Sequence, residues 1–360
     1  MTDFITTINN GTDGGRFAAD FWANVPATVP SGDRYICEIG TETLNEDMVM
    51  DQRIVNGDII VRPVSGQGHT GVRNTGIQVG RSSATAANLM THDCTGTGQI
   101  IVEDLELRFG VATNTNSGMI APETTNTPTV IVQRCLITNV NTGNTRPIDI
   151  PTDVAGDFHF ISNRFWDEGG VSGARMLQGF LSSGSPSGIS IIIQGNVFQV
   201  TGGAIQRGIS LPIGAGATPG TLLDVQGNIV LGSPEDYRVT NAEPGTSTLI
   251  FEQNLSEDAT GQVTGATVAN DLVSVDNPDV KTGSIALQVW TNEPTAFGAE
   301  IDIRGFNRSA VALLAEWDAG SMQFSVGALP PSDAAGNITR PAAFSNIFDI
   351  TRNTAPDIIF

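Results

Sequence analysis

Cleaving a glycan with side chains alone requires two carboxylates in one cleft, one donating a proton and one acting as base or nucleophile. Elimination instead requires a carboxylate cluster that holds calcium and a basic residue that takes a proton. Two local groups supply acids at close spacing: Glu103, Asp104 and Glu106, and Asp167 with Glu168. Glu103 and Asp104 are neighbours and face opposite sides of a strand, and Asp167-Glu168-Gly169-Gly170 leads a loop. Charged residues in such settings are ordinarily solvated, so both groups read as structural.

The three histidines, His69, His92 and His159, are far apart and lack metal-ligand spacing. His69 sits in a turn, where a neutral hydrogen-bonding role competes with a binding role, and His159 precedes Phe160 in a strand with its ring outward. Cys37, Cys94 and Cys135 are an odd number without CxxC spacing, which argues against zinc or a disulfide framework and for buried free thiols. Gly202-Gly203 lacks the lysine and hydroxyl of a phosphate-binding loop. No catalytic, cofactor-binding or metal-binding residue is assigned.

A formal net charge of -20 leaves nucleic acid without an electrostatic footprint. Lys281 is the only lysine, and arginine supplies the remaining positive charge, a bias that suits packed contacts or reflects the composition of the source genome. The start, Met1-Thr2-Asp3-Phe4, has no basic region followed by an apolar one, and no apolar run reaches membrane-spanning length. Synthesis in a cytoplasm without export by a signal peptide, and no membrane partner, are the expectations.

The elements that must position these side chains are strands. Gly 41 and Pro 18 in 360 residues, few charges, and clusters of Val, Ile, Thr and Phe give an all-β chain. Residues 1–15 are polar and Gly-rich and read as an arm. Phe17, Phe21 and Trp22 share one face of a short helix over 16–23, suited to covering the open end of a solenoid. Short strands follow at Tyr35–Ile39, Met48–Met50 and Asp58–Pro63.

From there an apolar strand runs repeatedly into a turn, with Asp104, Arg134, Asn163, Asn196, Asn228 and Asn254 aligned at the turn and intervals of 26 to 33 residues. Asparagine tolerates the left-handed backbone of a sharp bend, and stacked copies can hydrogen-bond along an axis. Stacked coils explain the interval better than a sandwich, whose strands recur every 8 to 12 residues. The fold class is an all-β, right-handed parallel β-helix, with a short N-terminal capping helix and a small non-repeat C-terminal region. The arm covers 1–15, the β-helix with its cap 16–308, and a docking or assembly region 309–360, ending in the apolar Asp357-Ile-Ile-Phe360.

Three stretches carry a resemblance to the pectin-lyase-like right-handed β-helix superfamily. They are Asp58-Ile-Ile-Val-Arg-Pro-Val-Ser-Gly-Gln-Gly-His69-Thr-Gly71, the turn series above, and Gly298-Ala-Glu-Ile-Asp302-Ile-Arg-Gly305-Phe-Asn-Arg308, where Arg304 replaces the middle acid of the element that closes many such helices. The first looks like the opening coils of β-helix proteins of environmental tailed bacteriophages. The superfamily includes lyases, hydrolases, adhesins and inert virion parts, so the likeness speaks to fold more than to function. It implies a structural virion protein: a capsid decoration or cement, a head fibre, or a tail-associated component. Its partners would be other virion proteins and copies of itself, a homotrimer being common in that group. The alternative is a tailspike-like binder or depolymerase of host-surface glycan, which a low aromatic content of 6% disfavours.

Overall fold

The computed structural model describes residues 2–9, 16–40, 43–44, 46–81, 89–109, 118–122, 128–139, 146–150, 156–167, 175–179, 189–200, 207–217, 219–272 and 284–285. The strands form three wholly parallel sheets of nine, nine and eight strands, each coil of chain contributing to them in turn. One coil illustrates the pattern: Ser190–Gln194 in the first sheet, Val197–Val200 in the second after a sharp corner, and Arg207–Ile213 in the third. The chain is a right-handed parallel β-helix, the hand that twisted strands impose on parallel crossovers.

Alternation along each strand sends every second side chain inward, and in-register pairing stacks those side chains into columns. In the first sheet one column runs Ile59, Ile100, Val130, Phe158, Ile191, Leu223. The next runs Val61, Val102, Val132, Phe160, Ile193, Val225. All are buried in one core. Across from them Phe165 and Phe198 stack at 4.2 Å between ring centroids, almost parallel. Repetition of β-branched and aromatic residues at the same offset makes each coil a template for the next.

The corner between the first and second sheets has two parts. One residue takes the left-handed conformation: Asp104, Arg134, Ser162, Gly195, Gly227 or Gln253, with φ between 52° and 64°. The residue after it is the buried Asn163, Asn196, Asn228 or Asn254. The bend and the asparagine are therefore adjacent positions, and asparagine does not itself supply the left-handed turn. Leu105 and Cys135, rather than Asp104 and Arg134, occupy the asparagine position in their coils. A one-residue shift exchanges inward for outward in a strand. Val102 and Val132 accordingly face the core, whereas Ile101 and Ile131 lie in its neighbouring, outward column.

The asparagines form a continuous ladder. Each backbone N–H donates to the side-chain oxygen of the next coil: Asn163 to Asn196 at 2.8 Å, Asn196 to Asn228 at 3.0 Å, Asn228 to Asn254 at 3.1 Å. Each side-chain amide donates to a main-chain carbonyl of the preceding coil, as Asn196 Nδ2 does to Phe160 O at 2.8 Å and Asn228 Nδ2 to Ile193 O at 2.8 Å. The run ends at Gln262, whose Oε1 accepts from Asn254 N at 3.0 Å, and begins at Cys135, whose N–H donates to Asn163 Oδ1 at 2.8 Å. The Cys135 thiol makes a longer form of the same contact, 3.6 Å to Val102 O.

The ends depart from the repeat. The expected arm starts as a strand: Thr2–Ile8 pairs in parallel with Asp33–Ile39 and is the outermost strand of the first sheet, because Ile8 and Thr6 continue the inward columns of Ile39 and Cys37. The expected capping helix is a π-helical turn, Phe17–Phe21, followed by a 3-10 turn, Trp22–Asn24. It takes the place in the first coil that a second-sheet strand takes later, burying Phe17, Phe21 and Trp22, and the Phe17 N–H donates to Glu46 Oε1 at 2.5 Å. At the other end the chain folds back after Val263–Thr264. Ala266 and Leu272 pack against Val197, Ile229, Leu231 and Leu255 on the outside of the second sheet. The closing element at 298–308, the boundary at 308 and the region 309–360 lie outside the described residues.

Asn196→Val preserves approximate volume but strands the Asn163 N–H and the Phe160 carbonyl inside the corner. At about 1–3 kcal/mol for each buried polar group left unpaired, unfolding in denaturant should shift to clearly lower concentration. An unchanged midpoint would contradict the ladder.

Candidate functional site

Fourteen residues, 64–77, separate the strands Asp58–Pro63 and Gln78–Arg81. They lie as a strap along the outside of the corner. His69 Nε2 lies 2.6 Å from Arg134 O, and Gly71 N donates to His69 Nδ1 at 3.1 Å. These partners define one neutral tautomer, with the proton on Nε2. Further along, Arg164 Nη1 donates to Gly71 O. The strap thus bridges two coils beyond its own neighbour. Glycine at 76 permits this path, since a Cβ there would stand 2.5 Å from His69 N.

Beneath the strap the acidic groups are accounted for. Arg134 reaches Glu103 Oε2 at 2.9 Å and Asp104 Oδ1 at 2.9 Å. The two acids do not point to opposite faces, because the left-handed backbone at Asp104 turns its side chain toward the same guanidinium. Burial alone would favour neutral Arg134, but Asp104 and Glu103 outweigh it and hold the charge. Glu103 and Glu106 are buried rather than solvated, and so is Asp167, which accepts from Asn139 Nδ2 at 2.5 Å. Glu168, Gly202 and Gly203 lie outside the described residues.

The histidines stay apart. His92 is enclosed in the third sheet beside Met50, and burial pushes its pKa down to about 4. His159 lies in the outward column of the first sheet, half-buried, its pKa also lowered by burial. Cys37, Cys94 and Cys135 are free and buried. Among the described residues no three His, Cys, Asp or Glu side chains are grouped to hold a metal ion, and no helix is long and apolar enough to cross a membrane.

A cleft of about 120 Å³ is lined by Arg73, Asn74, Glu106, Arg108 and Thr138. Arg73 and Asn74 come from the strap. Glu106 and Arg108 project outward from one strand, since Leu107 between them is in the core, and Thr138 stands beside Arg108 in the next coil. The Arg73 guanidinium lies 5.2 Å from the ring centroid of the buried Trp166, and Asn74 N donates to Glu106 Oε2 at 2.8 Å. Burial raises the Glu106 pKa, and the Asn74 N–H and both arginines oppose that rise. Sequence inspection marks Glu106 as a candidate acid and passes over Arg73, Arg108 and Thr138. The alternation Glu106-Leu107-Arg108 puts the outer two on one face, but only coil register brings Thr138 beside them.

These features define the class of protein: a three-sheet parallel β-helix with a strapped, arginine-bearing outer face. Scans against family models, curated proteins and solved structures return no match.

Burial in the strap pushes the His69 pKa down to about 4, below an unfolded value near 6.5. The native state therefore binds fewer protons, so the full contribution holds above pH 6.5 and is lost as pH falls toward 4. Wild type should lose roughly 2 kcal/mol more stability between pH 7 and pH 5 than His69→Gln. Equal losses in denaturant titrations at the two pH values would contradict the neutral, buried histidine.

Proposed function

We propose that this chain is a structural component of a tailed-bacteriophage particle, a capsid decoration or cement protein, head fibre or tail-associated part, working through protein–protein contacts. The observation that carries the reading is the N-terminal end of the solenoid. Thr2–Ile8 is the last strand of its sheet, and among the described residues its outer edge has no partner strand. Phe4 and Ile5 on this strand are 42% and 54% exposed. Phe4 stacks on Tyr35 at 4.6 Å and so extends the inner column to the open end. A free edge with apolar side chains favours a protein partner, because such an edge pairs readily with another backbone. Val49 and Ile54 add exposed apolar surface on the third sheet near the same end.

The likeness of the Asp58–Gly71 stretch to environmental-phage β-helices supports the particle context, and the pectin-lyase-like superfamily is the fold family proposed. The coils between Cys135 and Gln262 suit a load-bearing role, since ladder and core pass from each to the next there.

The protein should be present in purified particles at a high, symmetry-related copy number, as mass spectrometry and electron microscopy would show. Its absence from them would defeat the proposal. Ile5→Glu, at the more exposed of the two positions, should reduce incorporation at least about tenfold while the melting transition changes little, as surface substitutions usually leave stability within about 0.5 kcal/mol.

A further inference from the structure

We infer that the cleft between the strap and the second sheet is a binding site for a single oxyanion group, a free phosphate or sulfate or the carboxylate of a larger molecule. The inference is independent of the particle reading. Positive charge is scarce in this chain, 18 Lys and Arg against 38 Asp and Glu, yet two guanidiniums from separate elements border one small opening. Arg108 is exposed on its strand, and Arg73 is held by the face of a fully buried tryptophan. The two positive charges favour an oxyanion between them, and the ring against which Arg73 lies limits the freedom that side chain loses on binding.

The second observation is Thr138. It is 4% exposed, and its Oγ1 has no hydrogen-bond partner among the described residues. A buried hydroxyl without a partner is costly, and because Thr138 lines the cleft, rotation of its side chain toward a bound oxyanion would satisfy it. Glu106 is the opposing charge. One of its oxygens is engaged by the Asn74 N–H at 2.8 Å, and Arg108 and Arg73 both offset its charge. The opening is also small, about 120 Å³. One oxyanion group fits that space, and a larger molecule would enter by its anionic group alone.

The full-length chain should be titrated calorimetrically with inorganic phosphate, sulfate and acetate at constant ionic strength, with chloride as the balancing salt. Saturable one-site binding with a Kd on the order of 1 mM is expected for at least one of the three, and the ranking separates tetrahedral anions from carboxylates. Arg108→Gln should weaken it about tenfold, the worth of one charge-assisted hydrogen bond. Thr138→Val should weaken it about threefold while leaving the unliganded melting temperature equal or higher, which a purely structural hydroxyl would not do. Arg238→Gln, an exposed arginine in the third sheet, should leave binding unchanged. No saturable binding by any of the three anions, or equal weakening by Arg108→Gln and Arg238→Gln, or full affinity in Thr138→Val, would overturn the inference.

Discussion

The corner between the first and second sheets sets the terms for everything else. There the chain turns sharply with its backbone buried, so its N–H and C=O groups need partners that strand pairing does not supply. Asn163, Asn196, Asn228 and Asn254 meet that need, each amide offering both a donor and an acceptor along the axis. Because the acceptor for one coil is the side chain of the next, the ladder fixes coil register. The loops elsewhere can vary in length without moving the core columns. Cys135 shows where the pattern tapers: its thiol reaches the same carbonyl more weakly.

Around this frame the outer surface of the second sheet is built over rather than left bare. The strap covers it near Arg134 and Arg164, anchored by a neutral histidine and a buried guanidinium. The fold-back at Ala266 and Leu272 covers it at the C-terminal end of the coils. The cleft opens at the margin of the strap, where outward Arg108 and Thr138 meet Arg73. Parallel strands form the floor of the cleft, and a strap pinned by hydrogen bonds forms its wall. Elsewhere on the molecule, the outermost described strand of the first sheet carries the exposed Phe4 and Ile5.

The strand-and-turn repeat was legible because it is local. Apolar residues at fixed offsets before asparagine, at intervals near one coil, are readable without knowing what the coil packs against. The helical turn at Phe17, Phe21 and Trp22 was legible for the same reason, and so was the burial of the three thiols. Alignment of Asp104 and Arg134 with the asparagines misplaced those two coils by one residue. The bend residue and the ladder residue are neighbours, and a polar residue at either position looks alike in sequence. The N-terminal strand was missed because Thr2–Ile8 carries weak alternation and becomes a strand only by pairing with Asp33–Ile39.

What the sequence determined by itself was the repeating unit and, through it, the parallel β-helix, since periodic burial and turn chemistry act within one coil of chain. Tertiary structure alone decided the fate of the charges. Glu103 and Asp104 meet Arg134 some thirty residues away, and Arg73 meets Trp166 three coils on, because the solenoid converts distance along the chain into a rise of one strand spacing per coil. Which outward side chains share a cleft depends on that rise and on the path of the strap, neither of which any local pattern records.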